Sequence, residues 1–228
     1  MALISAYKPL GLSPLDVVKK IKEENPELEK VAYAGRLDPM AEGVILLVYG
    51  EDLSHFHQHL KYDKEYEGSI LFGFSTDTYD LLGISQQRKI EEGIKERLLN
   101  LQGEFNFPLP PYSSYRVQGA PLFKWAREGR ISEIDIPYKK TYIYSISLGD
   151  IYYKSGREIE REILEKINKV KGDFRQEEIK KRWREVISEG ELPLIDFKIK
   201  CSSGCYMRSV AEHVGGTLFH LKRTAIDF

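Results

Sequence analysis

The chain has 228 residues, 42% of them hydrophobic, with 34 basic and 35 acidic side chains and a formal charge of −1. That much apolar sequence excludes a disordered or fibrous chain, and the absence of a basic surplus means that any grip on a polyanion has to be local. No window is apolar over the length needed to span a bilayer and the start lacks a signal-peptide pattern, so a cytoplasmic protein is expected.

Ala2 to Tyr7 alternates as a short strand and ends at Lys8-Pro9-Leu10-Gly11. Ser13 then offers an N-cap with Pro14 at the first helical position, and Val17, Val18 and Ile21 line one face of the predicted helix. Next comes Ala34-Gly35-Arg36-Leu37-Asp38-Pro39-Met40-Ala41-Glu42-Gly43, a polar loop with one central carboxylate that runs into a buried strand at Val44 to Tyr49. An Asp before Pro is pushed into an extended conformation, so Asp38 is presented from a stiff loop. By itself, Asp-Pro between glycines is ordinary turn chemistry. Three histidines cluster in His55 to His59, of which only His55 and His59 would share a helix face; nothing completes a metal site, and none is expected.

Lys64-Glu65-Tyr66-Glu67-Gly68 leads into a predicted strand over Ser69 to Phe74, then the polar loop Ser75-Thr76-Asp77-Thr78-Tyr79-Asp80. Ile90, Ile94, Leu98 and Leu101 recur at helical spacing with Gly103 as a stop. Phe107 to Gly119 is stiffened by prolines and carries Tyr112, Tyr115 and Arg116. Rings and guanidinium planes accept the faces of unstacked bases, although a surface loop packed by its own aromatics has the same composition. Thr141 to Leu148 reads as a strand. Two charged amphipathic helices follow, Arg157 to Lys171 and Gln176 to Ser188, the second with Ile179, Trp183, Val186 and Ile187 on its apolar face. They read either as a solvated hairpin or as a support that turns Lys180, Lys181 and Arg184 toward a polyanion. Ile195 to Cys201 alternates as a strand, and Ser202 to Val210 leads into a helix ending at Gly215-Gly216. Cys201 and Cys205 are expected as free thiols.

These motifs resemble, in order, those of the TruB-type tRNA pseudouridine synthases. The run from Gly35 to Leu47, GRLDPMAEGVILL, is similar to the family's G-x-L-D-P-x-A-x-G-V-L, whose Asp is the nucleophile. Lys8-Pro9, Lys64-x-Tyr66 and Thr76-Asp77-Thr78-x-Asp80 resemble the family's Lys-Pro, K-x-Y and T-D-T-x-D, and Ala126-Arg127-Glu128-Gly129 its A-R-x-G. The stretch from Cys201 to Val210 resembles C-S-K-G-T-Y-I-R-S-L, and Leu221-Lys222-Arg223-Thr224 resembles L-R-R-T.

The resemblance implies an α/β (α+β) pseudouridine synthase fold, with a mixed, mostly antiparallel sheet flanked by helices and loops that form an RNA-binding cleft. One catalytic domain is expected over 1–228, with a helical insertion at about 154–190 and no C-terminal PUA domain. Carried across, Asp38 is the nucleophile, Tyr66 stacks on the target base, Tyr206 closes the base pocket, Leu221 lines it, and Arg208 pairs with Asp38. Lys8 supports the loop and counts with Tyr33 among the substrate-binding residues. Tyr33 stands where the family has a histidine, in Ala32-Tyr33-Ala34-Gly35, and would hold a flipped base by stacking while forfeiting imidazole chemistry.

Converting uridine to pseudouridine exchanges a glycosidic C–N bond for a C–C bond without net redox change, so no cofactor or metal is demanded. Attack by Asp38 at the ribose C1′ and at the base C6 both remain open. The expected partner is RNA, with the tRNA T-arm and its uridine 55 as target, and the expected state is a monomer. The other reading is an RNA-binding or RNA-folding module of the same fold with weak or no catalysis, or a synthase acting on another RNA.

Overall fold

The structure, a computed structural model, describes residues 2–227. β1 (Leu3–Lys8) leads to α1 (Pro14–Glu24), whose start is held by a capping box: the Ser13 hydroxyl accepts from the Asp16 N–H, and the Asp16 carboxylate accepts from the Ser13 N–H. β2 (Val31–Ala34), the Asp38 loop and β3 (Ala41–Tyr49) follow, then a 3₁₀ turn and the short α2 (Phe56–His59). β4 (Asp63–Phe72) precedes a small hairpin of β5 (Phe74–Thr76) and β6 (Ser85–Gln87), and α3 (Ile94–Leu99) precedes β7 (Gly103–Pro108). The proline-rich loop carries the ribbon of β8 (Arg116–Val117) and β9 (Ala120–Pro121) and enters α4 (Leu122–Arg127). β10 (Tyr138–Ser155) rises into a helical hairpin, α5 (Gly156–Asn168) and α6 (Gln176–Val186). β11 (Glu191–Cys201), α7 (Met207–His213) and β12 (Gly216–Asp227) complete the order.

The main sheet runs β1-β3-β12-β4-β11-β10-β7, with β2 also paired to β3. Its pairings are antiparallel except β12 against β3. That parallel join brings Leu221 opposite Ala41 and Arg223 opposite Gly43, beside the Asp38 loop. Only glycine fits at 43: its φ is +116°, and an added Cβ would lie 2.1 Å from the Arg223 carbonyl oxygen. The mixed, mostly antiparallel sheet expected from the sequence is the one found.

Strand alternation sorts the core. Ile45 and Leu47 pack with Val17 and Val18 of α1, whereas Leu46 and Val48 pack on the other side with Ala34 and Ile226. Ile70 and Phe72 meet Leu98 of α3 and Met207 and Val210 of α7. Leu71 turns the opposite way, toward the helical hairpin.

Several elements differ in extent from their predicted spans, β4, α3 and β10 among them. β4 begins at Asp63 rather than Ser69, because Lys64 and Tyr66 already alternate inward and the ladder has partners on both sides, β11 and β12. α3 starts only at Ile94, with Gly93 as its N-cap at φ +71°, and Ile90 is left exposed. β10 passes through Gly149-Asp150 and continues to Ser155, because the β11 pairing absorbs those residues as an irregularity between Leu148 and Ile151 instead of turning.

The hairpin is a wall of the body. Ile159, Ile163, Ile167, Ile179, Trp183 and Val186 are buried against Leu71, Leu81, Leu194 and Phe219, and the fully buried Trp183 donates its indole N–H to the Leu81 carbonyl at 3.0 Å. Lys181 is exposed, but Lys180 is engaged by Asn168 and Glu177, and Arg184 faces Glu160 at 4.0 Å. Both cysteines are free thiols. Among the described residues no His, Cys, Asp and Glu cluster is placed to hold a metal, and no helix is long and apolar enough to cross a membrane. His59 is buried and shares a hydrogen bond of 2.9 Å with the Tyr62 hydroxyl.

Candidate active site

Asp38 stands where β2 gives way to β3, on a loop pinned from three directions. The Ala41 N–H donates to the Asp38 carbonyl at 3.0 Å, and the Gly11 N–H donates to the Pro39 carbonyl at 2.8 Å. From below comes Arg223, 1% exposed, whose guanidinium donates to the carbonyls of Val44 at 2.7 Å, Gly35 at 3.1 Å and Arg36 at 3.4 Å. Among the described residues this buried cation has no carboxylate partner; backbone dipoles satisfy it, and in return it fixes the loop.

Arg208 enters from the first turn of α7 and is 5% exposed. Its Nε lies 2.8 Å from Asp38 Oδ2 and 3.8 Å from Asp80 Oδ2. Nη1 donates to the Thr78 carbonyl at 3.0 Å, and both Nη atoms reach the Tyr112 carbonyl at 3.4 Å. The guanidinium is therefore held by two separate loops as well as by charge. Burial works to lower its pKa, yet Asp38 and Asp80 outweigh burial and hold it above the ordinary value. Burial pushes the Asp80 carboxyl up to about 6, with Arg208 opposing the rise.

Two cavities flank this ion pair. The first, about 240 Å³, is lined by Lys64, Tyr66, Tyr206, Leu221 and Arg223 besides Asp38 and Arg208. Period-two alternation puts Lys64 and Tyr66 of β4, and Leu221 and Arg223 of β12, on one face, with Arg223 directly opposite Tyr66 in register. Arg223 also hydrogen-bonds the Tyr66 hydroxyl, but burial is the larger influence and pushes that phenol up to about 12. Tyr66 is thus a neutral ring at any working pH. Lys64 donates to the carbonyls of Leu60 and Tyr62, and burial pulls its ammonium down to about 8. The second cavity, about 360 Å³, shares Asp38 and Arg208 with the first and has Tyr33, Tyr112, Phe123, Arg127, Phe174 and Arg175 in its wall.

Of the residues read from the sequence, Tyr66, Tyr206, Arg208 and Leu221 gather with Asp38 around the first cavity. Tyr33 lines the second, and its hydroxyl accepts from Arg36 at 3.2 Å. Lys8 lines neither. It is fully buried, its ammonium donates to the carbonyls of Pro9 at 3.0 Å and Leu12 at 2.8 Å, and burial lowers its pKa to about 8. Lys8 braces the turn that holds Pro39 and leaves no surface for a substrate, which corrects its place among the substrate-binding residues. Asp80, Lys64 and Arg223 lie in the family-like motifs, but the sequence assigns none of them a role at the site. A signal for the last two existed, since each is a cation at an inward position of an alternating strand. Asp80 stands in the sequence as the last position of the Thr76-Asp77-Thr78-x-Asp80 motif, with no role assigned to it, and Arg175 has no signal at all.

Residues 22–166 match the TruB family pseudouridylate synthase (N terminal domain). The chain belongs to the TruB family. The tRNA pseudouridine synthase B of Caldicellulosiruptor saccharolyticus is 32% identical over 228 residues, covering 95% of this chain and 64% of that protein. That of Clostridium kluyveri is 29% identical over 231 residues, covering 97% of this chain and 65% of its own length. The chain thus spans just under two thirds of these curated relatives. A chain in the crystal structure of a Cbf5-Nop10-Gar1 complex superposes with a TM-score of 0.57 at 17% identity, covering 98% of this chain and 48% of that one, so the two share a fold. In this TruB-family chain the hairpin's connecting loop and α6 lie beyond the residues matched by the family.

Proposed function

We propose that the protein is an RNA pseudouridine synthase that isomerises a uridine of the tRNA T-arm, uridine 55 in tRNA numbering, working as a monomer in the cytoplasm. The observation that carries this reading is the 2.8 Å pair of a one-third exposed Asp38 with a buried Arg208 at a cavity walled by Tyr66, Tyr206 and Leu221. The naming of its relatives as tRNA pseudouridine synthase B supports the choice of substrate.

The chemistry follows from those parts. A target base leaves its stack at a cost of a few kcal/mol. Stacking on an aromatic ring such as Tyr66 offsets this by about 1–3 kcal/mol. Arg208 sets positive charge against the Asp38 carboxylate and, being fixed by two backbone carbonyls, fixes the direction of attack. Asp38 attacks the nucleotide and the uracil detaches and turns. Its C5 takes the bond to C1′ and gives up a proton, N1, freed of its glycosidic bond, takes one up, and the carboxylate is released. The walls of Tyr66, Tyr206 and Leu221 hold the detached base in place while it turns.

Incubating T-arm RNA with the protein and mapping pseudouridine by chemical labelling or mass spectrometry tests the proposal. Conversion at the T-loop uridine is the expected result. Tight binding without conversion would return the chain to the RNA-binding module, and conversion confined to another RNA would replace the substrate.

A further inference from the structure

The hairpin's connecting loop reaches the loops that surround the Asp38–Arg208 pair. Its Lys171 N–H donates to the Gly11 carbonyl at 2.9 Å, and Gly11 packs so closely that an added Cβ would lie 2.0 Å from the Lys169 carbonyl oxygen. The loop ends at Arg175, which adopts a left-handed conformation, φ +62°, as the N-cap of α6. A non-glycine residue held there is locally strained, so the surrounding contacts over-determine it.

Those contacts converge on two loops. The Arg175 guanidinium donates to Asp77 Oδ2 at 2.9 Å and lies over the Tyr112 ring, 4.9 Å from its centroid. The Asp77 carboxylate also helps raise the Tyr112 phenol pKa, after burial, which sets the two side chains beside each other. Asp77 adjoins Thr78, and the carbonyls of Thr78 and Tyr112 are the two backbone acceptors that hold the Arg208 guanidinium. Arg175 therefore ties together the two loops on which the orientation of Arg208 depends.

We propose that Arg175 is a positioning residue for the isomerisation, acting through the Asp77 and Tyr112 loops to keep Arg208 aimed at Asp38. This deepens the proposed function and rests on it. The hairpin is then part of the catalytic frame, and its contribution passes through one guanidinium that carries both a charge for Asp77 and a flat face for Tyr112. Lysine supplies the first without the second.

Arg175→Gly is the clean test, because glycine keeps the left-handed backbone while removing the side chain. Arg175→Lys is the conservative partner. The Nε–H resonance of Arg208, assigned by its loss in Arg208→Lys, reports the guanidinium without any need for activity. In Arg175→Gly that resonance is expected to shift and its exchange with water to quicken. The single-turnover rate on saturating T-arm RNA should fall about tenfold, the scale of loss from sub-ångström misplacement, with Arg175→Lys in between and RNA affinity held within about twofold. An unchanged Arg208 resonance and rate would overturn the proposal. So would a salt-dependent loss of affinity with the saturated rate intact, which would make Arg175 a phosphate contact. If the unaltered protein forms no pseudouridine, the functional reading fails, and the resonance alone still decides whether Arg175 positions Arg208.

Discussion

Asp38 and Asp80 share one arginine and live in different media. Asp38 is one-third exposed at the cavity, whereas Asp80 is buried and accepts hydrogen bonds from the Thr78 hydroxyl at 2.8 Å and the Leu82 N–H at 2.9 Å. Asp38→Asn keeps the side-chain volume and leaves Arg208 with Asp80 3.8 Å away, so the fold is expected to survive. Pseudouridine formation is expected to vanish while RNA affinity stays within severalfold; turnover near that of the unaltered protein in a mapping assay would remove Asp38 from its role. Asp80 carries a pH signature. Its pKa is raised by burial from 3.8 to about 6, so its contribution to stability is complete below the unfolded value and is lost as pH rises through the folded one. Asp80→Asn lacks this dependence. The stability of the unaltered protein relative to the variant should therefore fall between about pH 4 and pH 6 and then level off, as read from urea titrations. A difference that ignores pH would contradict the assignment.

The helical hairpin holds its place by Trp183, which is fully buried, meets Phe74 edge-on at 5.4 Å and satisfies its N–H on Leu81. Truncating such a residue leaves a cavity that the surrounding sheet cannot close. Trp183→Ala is expected to cost about 3–5 kcal/mol in denaturant unfolding. The polar side behaves differently, since Lys180 and Arg184 are already engaged by Glu177, Asn168 and Glu160. Neutralising Lys180, Lys181 and Arg184 together should leave RNA affinity and its salt dependence almost unchanged. Each phosphate contact would contribute a slope of about −0.7 to −0.9 against log salt, so anisotropy titrations at several ionic strengths would reveal even one. A clearly flatter slope in the triple variant would restore these residues as an RNA contact.

Across the molecule, three lysines set the alkaline behaviour, since burial also lowers Lys166, which donates to the Phe219 carbonyl, to about 8. Lys8 and Lys64 donate to backbone carbonyls, and burial lowers both from 10.5 to about 8. A lysine with a depressed folded pKa contributes stability that is complete above its unfolded value and is lost as pH falls through the folded one. Tyr66 acts in the opposite sense: burial raises it from 10.0 to about 12, so its share is complete below pH 10 and fades above it. Unfolding free energy is therefore expected to rise from about pH 8 to pH 10, by at most about 3 kcal/mol per lysine, and to turn over above that. Lys8→Met should flatten the rise in guanidinium unfolding; an unaltered rise would show that Lys8 stays charged.

Local signals carried much of this protein. The capping box at Ser13, the stiff Asp-Pro loop and the apolar stripe of α6 are written in neighbouring residues, and each formed where its pattern lies. The motif resemblance brought Asp38, Tyr66, Tyr206, Arg208 and Leu221 into one expected pocket, and they line one cavity. The extent of β10 was not legible, because Gly149-Asp150 has the composition of a turn and only the neighbouring strand makes it a bulge. Lys8 and Tyr33 could be named but not placed, since facing a cavity depends on which elements cover a side chain. Arg175 was invisible for the same reason in stronger form: it bonds Asp77, 98 residues away, and stacks on Tyr112. The sequence by itself determined the cores of β1, β3, β4, β10 and β11, the Ser13 cap and the chemistry of the loop carboxylate, because these depend on backbone sterics and short-range periodicity. Only the tertiary structure decided which cations reach that carboxylate, because a buried charge takes its role from partners that the folded chain brings to it.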